Sequence, residues 1–534
     1  MKIAMNVDSS SRMSHWKLKN GLPAEISGVS PRVERVATSC RLHRDCAPRH
    51  TRIPARSLTL DARPLHITTM IDLKSLRDDP DRFRKGTIDK GGDARFVDEL
   101  LEVDRDLRAA QTEREQLTAE KNRIGKQIGA AAGRLKKLEG DERAALEAEM
   151  AALRERPNEI KAREGDLNET AERLQARRDE LWLCVPQPAD PDVPVGASAD
   201  DNIEIRQWHP ERFDPAKTFE QNRGFPVRSH IELGLDLGII DFERGVKIAG
   251  SRSYVLVRDG MRLHQAILRL AFDTMVNENG FTPASVPVLV REEMMVGTGF
   301  FPTGKDQSYE IRETDRGGGY DLYLAGTGEV GLMGLHQGEI LDFDALPLRY
   351  TTLSSCFRRE AGAAGKDTAG LYRIHQFDKV EQVVICEASE QESRDWHQKM
   401  IGFVEALMQR LELPYRLIQC CTGDLGPKNA DQIDIESWMP GRGETDGDGR
   451  PLGAYGETHS ASRLYDYQCR RLNLRYRDPK TKKTTICHAL NNTVAASPRI
   501  LIPIIEIYQN DDGTVTVPEA LRPYMGGREV ISRV

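Results

Sequence analysis

Three charged residues in a row, Arg358, Arg359 and Glu360, close a run of β-formers, Thr351 to Phe357, that predicts a strand. A loop built largely of glycine and alanine follows, Ala361 to Gly370. The chain then returns through Leu371, Ile374, Phe377, Val380 and Val383. Two strands around a small-residue loop predict a long hairpin. The chemistry such a hairpin offers is anion binding, because a guanidinium takes phosphate oxygens bidentately. Phe377 adds a flat face on which a base can stack. A surface hairpin with solvated Arg–Glu pairs fits the same residues and stays open at this point.

The longer string narrows the choice. F-R-R-E from Phe357, a loop, then H-Q-F-D-K-V-E from His375 closely resembles motif 2 of the class II aminoacyl-tRNA synthetases. The form C-F-R-R-E-A-G-A-A-G-K-D-T-A-G from Cys356 is similar to the seryl-tRNA synthetases. Further stretches carry the same resemblance: His230 to Leu256, G-T-G-F-F-P at 297–302, L-Y-L-A-G-T-G-E-V-G at 322–331, and Cys421 to Trp438. Tyr455 to Arg471 and His488 to Gln509 follow, the latter resembling motif 3. Together they cover Met70 to about Arg528.

The resemblance implies serine activation by ATP, then transfer of serine to the 3′ end of tRNA-Ser, with tRNA-Sec as a second substrate by family analogy only. It implies these roles. Arg358 contacts the α-phosphate and the serine carboxylate, Arg359 adds to the ATP site, and Glu360 recognises adenine. Phe377 and Arg499 sandwich the base. Glu457 and Ser460, with Thr458 and His459 between them, hold ATP and its Mg²⁺ through oxygen ligands, which suit that cation. Thr327, Gly328, Glu329, Glu381, Asn491 and Thr493 form the serine pocket with Arg358. Thr327 and Glu329 are expected on one side of an extended segment, where an acid suits an ammonium group. Asp434 and Glu436 alternate on a predicted strand and are expected near the site.

Departures from the family pattern are visible too. Thr458, His459, Ala461 and Arg463 break the usual string, and His459 reads as a surface or satisfied histidine. Glycines common before Arg499 are missing, and Pro503 falls inside the expected following helix.

Positioning these residues requires a large core, and 534 residues with 39% hydrophobic content supply one. The resemblance implies an α+β fold: an antiparallel sheet flanked by helices, preceded by an antiparallel coiled-coil arm. Gly326 to Gly331 reads G-x-G-x-x-G, but no βαβ alternation surrounds it, so a dinucleotide site is set aside. Nine cysteines without paired spacing point to a reducing, cytoplasmic setting, with no disulfide framework and no cysteine-based zinc site. No apolar run reaches the ~20 residues that a membrane span needs.

The arm is the clearest repeat. Val103, Ala110, Leu117, Ile124, Ala131 and Leu138 fall in one seven-residue frame, and Leu146, Leu153, Ile160, Leu167, Leu174 and Leu181 in another. Two heptad helices around a short break predict a coiled-coil hairpin, each helix reaching roughly 54 Å for ~36 residues. Pro157 is expected to kink the second helix. Arg114, Lys121, Arg123, Lys126, Arg134, Lys136 and Lys137 are candidate phosphate contacts. A spacer or dimerisation arm has the same periodicity; the family resemblance favours a tRNA grip.

The expected organisation is a leader at 1–69, the arm at 70–185, a proline-rich linker at 186–201 and the catalytic domain at 202–534. The leader holds twelve Lys/Arg and five Asp/Glu against a chain total of −7, which leaves −14 for the rest. It reads as a disordered extension ahead of an internal start, or as a transit-type segment. Met261 to Val290 resembles motif 1, which implies a homodimer. A ligase that loads a carrier, and a catalytically silent scaffold, are the competing classes. The arm argues against the first, and the retained Arg358, Glu360, Glu381, Glu457 and Arg499 against the second.

Overall fold

The computed structural model describes residues 71–311, 321–362 and 369–533, all within one compact unit. The leader at 1–69 and residues 363–368 of the motif 2 loop lie outside the described residues.

The chain enters through two short helices, α1 (Leu73–Asp78) and α2 (Pro80–Asp89). Asp72 and Asp79 cap them with side-chain acceptors, and Pro80 takes the first position of α2, where no N–H is needed. The heptads then form α3 (Arg95–Leu135) and α4 (Gly140–Cys184). Ala110, Ile124 and Ala131 of the first frame are buried, as are Leu146, Ile160, Leu167 and Leu181 of the second. Helix α4 is continuous through Pro157, which forgoes one backbone hydrogen bond there.

At its base the arm packs on the rest of the chain. Ile71, Leu76, Phe83, Val97, Leu100, Leu181, Trp182 and Val185 form one apolar cluster with Tyr467. Trp182 donates to the Ile71 carbonyl, and Lys90 reaches the carbonyls of Gly426 and Asn429.

The body is built on an eight-stranded sheet. Its strands, in chain order, are β1 (Ile203–Trp208), β2 (Thr282–Pro283), β3 (Leu348–Phe357), β4 (Gln376–Cys386), β5 (Tyr415–Gln419), β6 (Asp431–Met439), β7 (Ala454–Tyr465) and β8 (His488–Ser497). They lie in the order β1-β5-β6-β7-β8-β4-β3-β2. Every pairing is antiparallel except the short β2–β3 contact. Helices α5 (Arg258–Asp273) and α7 (Glu390–Arg410) cover one face and share a large apolar cluster with it, including Leu263, Ile267, Met400, Val404, Val380 and Leu490. A short helix, α6 (Glu329–Gly334), and the final helix, α8 (Leu501–Ile507), complete the surroundings of the site.

Within the stretch that resembles motif 1, residues 280–290 form no continuous strand: Thr282–Pro283 pairs in the main sheet and Leu289–Arg291 in a separate three-stranded sheet. Pro283 and Pro287 lack the N–H groups that a continuous ladder needs. Pro503 is not an interruption, because α8 starts at Leu501 and places it in the first turn, where its missing donor costs nothing.

Candidate active site

The hairpin β3–β4 is paired without interruption from Gln376↔Phe357 to Ile385↔Leu348. It delivers Arg358, Glu360, Phe377 and Lys379 to a solvent-open cleft of ≈ 490 Å³. The guanidinium of Arg358 lies over the Phe377 ring, 5.3 Å from its centroid, and its Nε donates to the Gly326 carbonyl at 3.3 Å. Glu360 adopts φ of 53°, a conformation rarely taken by non-glycine residues, and its carboxylate accepts from Arg373 at 2.7 Å. Arg499 reaches the cleft from the turn between β8 and α8. It stacks on Tyr372, 4.5 Å from the ring centroid, and donates to the carbonyls of Tyr372 and Glu457. Arg358, not Arg499, covers Phe377, while both guanidiniums line one cleft. Arg359 points elsewhere: it lines an adjoining depression with Lys305 and Tyr309.

Beneath the cleft lies a polar chain. The ammonium of Lys379 donates to Thr327 Oγ1 at 2.8 Å and sits 2.5 Å from a Glu381 carboxylate oxygen. The other oxygen of Glu381 accepts from Asn491 at 3.1 Å. Asn491 Oδ1 is buried and receives no hydrogen bond, a costly state that calls for a donor. Thr493 lines the cleft beside this set. Lys379 was not singled out from the sequence, although it stands inside the H-Q-F-D-K-V-E string. A lysine is read as solvated by default, and only the fold shows this one 5% exposed.

Thr327 and Glu329 do not share an extended segment. Gly328 is α-helical at φ −65° and caps α6, while Thr327 Oγ1 accepts from the Glu329 backbone N–H. A Cβ on Gly328 would fall 2.4 Å from Thr352 Cγ2, which explains the absence of a side chain there. The Glu329 carboxylate is turned to Lys428 and Gln468, each 2.6 Å away, and is not part of the cleft lining.

Two β-bulges set the phase of the remaining residues. Between β6 and β7 the pairs run Ile435↔His459 then Glu436↔Glu457, so Thr458 is the extra residue. Glu457 and Ser460, three apart, therefore share one face with Asp434 and Glu436. Between β4 and β8 the pairs Val380↔Ala495 and Glu381↔Thr493 make Val494 the extra residue. Thr493 and Ala496 consequently both line the cleft. His459 falls on the opposite face. It is not at the surface: it is 1% exposed, touches Thr458 Oγ1 through Nδ1, and burial pushes its pKa down to about 3. Thr458 itself lines the cleft, with its hydroxyl on the Ile435 carbonyl.

Glu457, Ser460 and Asp434 make a hard oxygen donor set. Burial first, then the charge of Glu457, pushes Asp434 up to about 7. Paired carboxyls that resist joint ionisation fit a divalent cation such as Mg²⁺. Glu436 does not join them, because Arg416 holds its carboxylate at 2.7 Å.

Comparison with known proteins agrees with this geometry. Residues 309–508 match the class II core domain model of the G, H, P, S and T tRNA synthetases. Residues 70–186 match the seryl-tRNA synthetase N-terminal domain. A serine–tRNA ligase of Deinococcus radiodurans is 41% identical over 464 residues, spanning 87% of this chain and 99% of the relative. Another from Pyrococcus horikoshii is 38% identical, spanning 86% and 98%. The crystal structure of seryl-tRNA synthetase from Pyrococcus horikoshii complexed with ATP superimposes with a TM-score of 0.74 at 36% identity, over 87% of this chain and 100% of that one. The cytoplasmic serine–tRNA ligase of Naegleria fowleri in complex with AMP gives 0.71 at 29% identity, over 87% and 99%. A two-helix arm, an antiparallel sheet with a motif 2 hairpin, and identity along almost the whole of each relative leave one assignment: the chain belongs to the seryl-tRNA synthetase family of class II aminoacyl-tRNA synthetases.

Proposed function

We propose that the cleft activates L-serine with ATP and hands the product to the 3′ end of tRNA-Ser. The observation that carries this reading is the buried Thr327–Lys379–Glu381–Asn491 chain directly beneath an arginine- and aromatic-lined cleft. A zwitterion with a hydroxyl needs an anion, a cation and an unpaired acceptor close together, and this chain supplies all three. Its polar floor also supports rejection of alanine, which would leave those buried groups unpaired.

In the first half-reaction a serine carboxylate oxygen attacks the α-phosphorus in line. The bond to the bridging oxygen breaks and pyrophosphate leaves. Positioning and charge stabilisation carry such a step, with little covalent work by the protein. Arg358 bridges the carboxylate and the α-phosphate. A base stacking on Phe377 displaces the Arg358 guanidinium toward the phosphates, while Arg499 closes the opposite side of the base with a cation–π contribution. Glu360 reads the adenine edge and Arg359 extends the contact to the outer phosphates. Glu381, Asn491 and Thr493 take the serine ammonium and hydroxyl, with Thr327 and Gly328 shaping the wall and Glu329, held by Lys428 and Gln468, supporting it from behind. Glu457 and Ser460 would hold Mg²⁺, which would supply neutralisation of phosphate charge when ATP is bound. In the second half-reaction a ribose hydroxyl of the tRNA attacks the activated carbonyl and AMP leaves.

The finer assignments are part of the same proposal. The chain acts as a homodimer, supported by exposed apolar side chains on consecutive helices: Leu235, Val246, Ile248 and Met261. It works in the cytoplasm, supported by free cysteines throughout the described residues. Among the described residues no helix is long and apolar enough to cross a membrane. The arm grips tRNA-Ser, and tRNA-Sec shares that grip if it shares the shape.

The test is serine-dependent ATP–pyrophosphate exchange together with charging of a tRNA-Ser transcript by the full chain. Both are expected. Exchange without charging would point to carrier loading, and absence of both would overturn the enzyme reading.

A further inference from the structure

On the side of the sheet away from the cleft, a buried imidazole joins β4, which carries Phe377, to the end of β8, two residues before Arg499. His264 belongs to α5 and is 4% exposed. Its Nδ1 lies 2.8 Å from Ser497 Oγ, and its Nε2 lies 3.1 Å from Asp378 Oδ2. The second oxygen of Asp378 accepts from Ser355 Oγ at 2.6 Å. Asp378 is opposite Ser497 in the β4–β8 register and opposite Ser355 in the β3–β4 register. Ser355, Asp378 and Ser497 therefore form one row across three strands, with His264 seated on it.

The row stands immediately behind the nucleotide site. Phe377 precedes Asp378 and, by strand alternation, projects to the opposite face. Arg499 follows Ser497 by two residues. In the neutral imidazole, Nε2–H donates to the carboxylate and Nδ1 accepts from the serine hydroxyl, so both ring nitrogens are satisfied. The hydrogen bond from His264 first, then that from Ser355, holds the Asp378 carboxyl below its ordinary value, which keeps it an acceptor.

We propose that His264 is a positioning residue for the nucleotide: it fixes the separation of Phe377 and Arg499 from behind, through Asp378 and Ser497, without touching ATP. The proposal rests on the assignment of the cleft to ATP. It also makes α5 the element through which packing on the outer surface reaches the base clamp.

The experiment compares the full chain with His264→Ala, His264→Gln, Ser497→Ala and the His264→Ala/Ser497→Ala double variant. Serine-dependent exchange gives KM for ATP, KM for serine and kcat, and calorimetric titration of Mg-ATP without serine gives direct affinity. A lost hydrogen bond to a charged group is expected to raise KM and Kd for ATP roughly tenfold in His264→Ala, with KM for serine nearly unchanged. Gln keeps a donor within reach of Asp378 and should recover most of the loss. The double variant should be no worse than His264→Ala, because both substitutions cut the same chain. A parent that exchanges normally while His264→Ala keeps the parent's ATP affinity would overturn the positioning role alone. So would ATP and serine constants that rise together, which is general loosening. A parent without exchange or ATP binding would sink the assignment of the cleft, and this proposal with it. Should His264→Ala fail to fold, Ser497→Ala and His264→Gln decide: unchanged ATP affinity in Ser497→Ala with full activity overturns the link.

Discussion

Asp434 shows how the sheet concentrates charge before any substrate arrives. Its carboxyl is pushed up to about 7 by burial and then by Glu457, against hydrogen bonds from Ser460 and Gln432. From the ordinary carboxylate value of about 4 up to about 7 the folded chain holds a proton that the unfolded chain has released. The contribution of this group to stability is therefore full below that window, falls as pH rises through it, and is flat above. Asp434→Asn removes the dependence. The difference in melting temperature, variant minus parent, should grow between about pH 4.5 and about pH 7.5 when followed by circular dichroism in chelator; a constant difference would show that Asp434 titrates normally. Residues of this kind were only partly legible in advance. Arg358, Glu360 and Phe377 sit in one continuous string, so their proximity is local and readable. Lys379 lies in the same string, yet its burial depends on Thr327, fifty-two residues earlier, and on β8, which arrives more than a hundred residues later.

At the level of elements, local periodicity was the dependable signal. The heptads of α3 and α4 recur every seven residues whatever surrounds them, and the coiled coil follows. The side-chain phase of β7 and β8 was not legible, because a bulge exists only relative to a partner strand. Alternation alone would have put Glu457 and Ser460 on opposite faces. The basic residues of the arm also divide once its partner helix is in place. Lys121 binds Glu164 at 2.7 Å and Arg114 donates to Asn168 at 3.1 Å, so both are engaged across the hairpin. Arg123, Lys126, Arg134, Lys136 and Lys137 are exposed toward its tip. Replacing Lys126, Arg134 and Lys137 by Ala should weaken tRNA binding and lower the slope of log K against log salt by about 2 to 3. Exchange should be untouched. Lys121→Ala should leave that slope unchanged and cost the arm under about 1 kcal/mol. Filter binding across a salt series distinguishes the two, and equal slopes would remove the tip from the tRNA interface.

Across the whole molecule, the proline-rich stretch after the arm is fastened by ions. Arg463, 2% exposed, donates to Asp190 of that stretch through Nε at 3.0 Å and again through Nη2, and its Nη2 also lies 2.9 Å from Asp431. Tyr465 donates to the same Asp190 oxygen at 2.9 Å. Arg463 was visible in the sequence only as a departure from the family string, and the fold supplies its reason. Arg463→Met leaves two buried carboxylates short of their main partner and should cost about 3 kcal/mol or more. Arg394 pairs with Asp190 and Asp192 from a more solvated position, its side chain 27% exposed, and Arg394→Met should cost under about 1 kcal/mol. Urea unfolding reads both, and equal losses would mean that burial is not what gives Arg463 its weight.

The fastening has a mechanical consequence. Helix α3 spans 41 residues, and at 1.5 Å per residue it is a lever of about 60 Å. A tilt of about 5° at the fulcrum would swing the far end by roughly 5 Å, most of one helical pitch. Trp182, Lys90 and the Asp190–Arg463 pair hold that fulcrum. The arm is thereby a gauge, whose reach is set by its length and whose aim is set by a few buried polar contacts at its pivot.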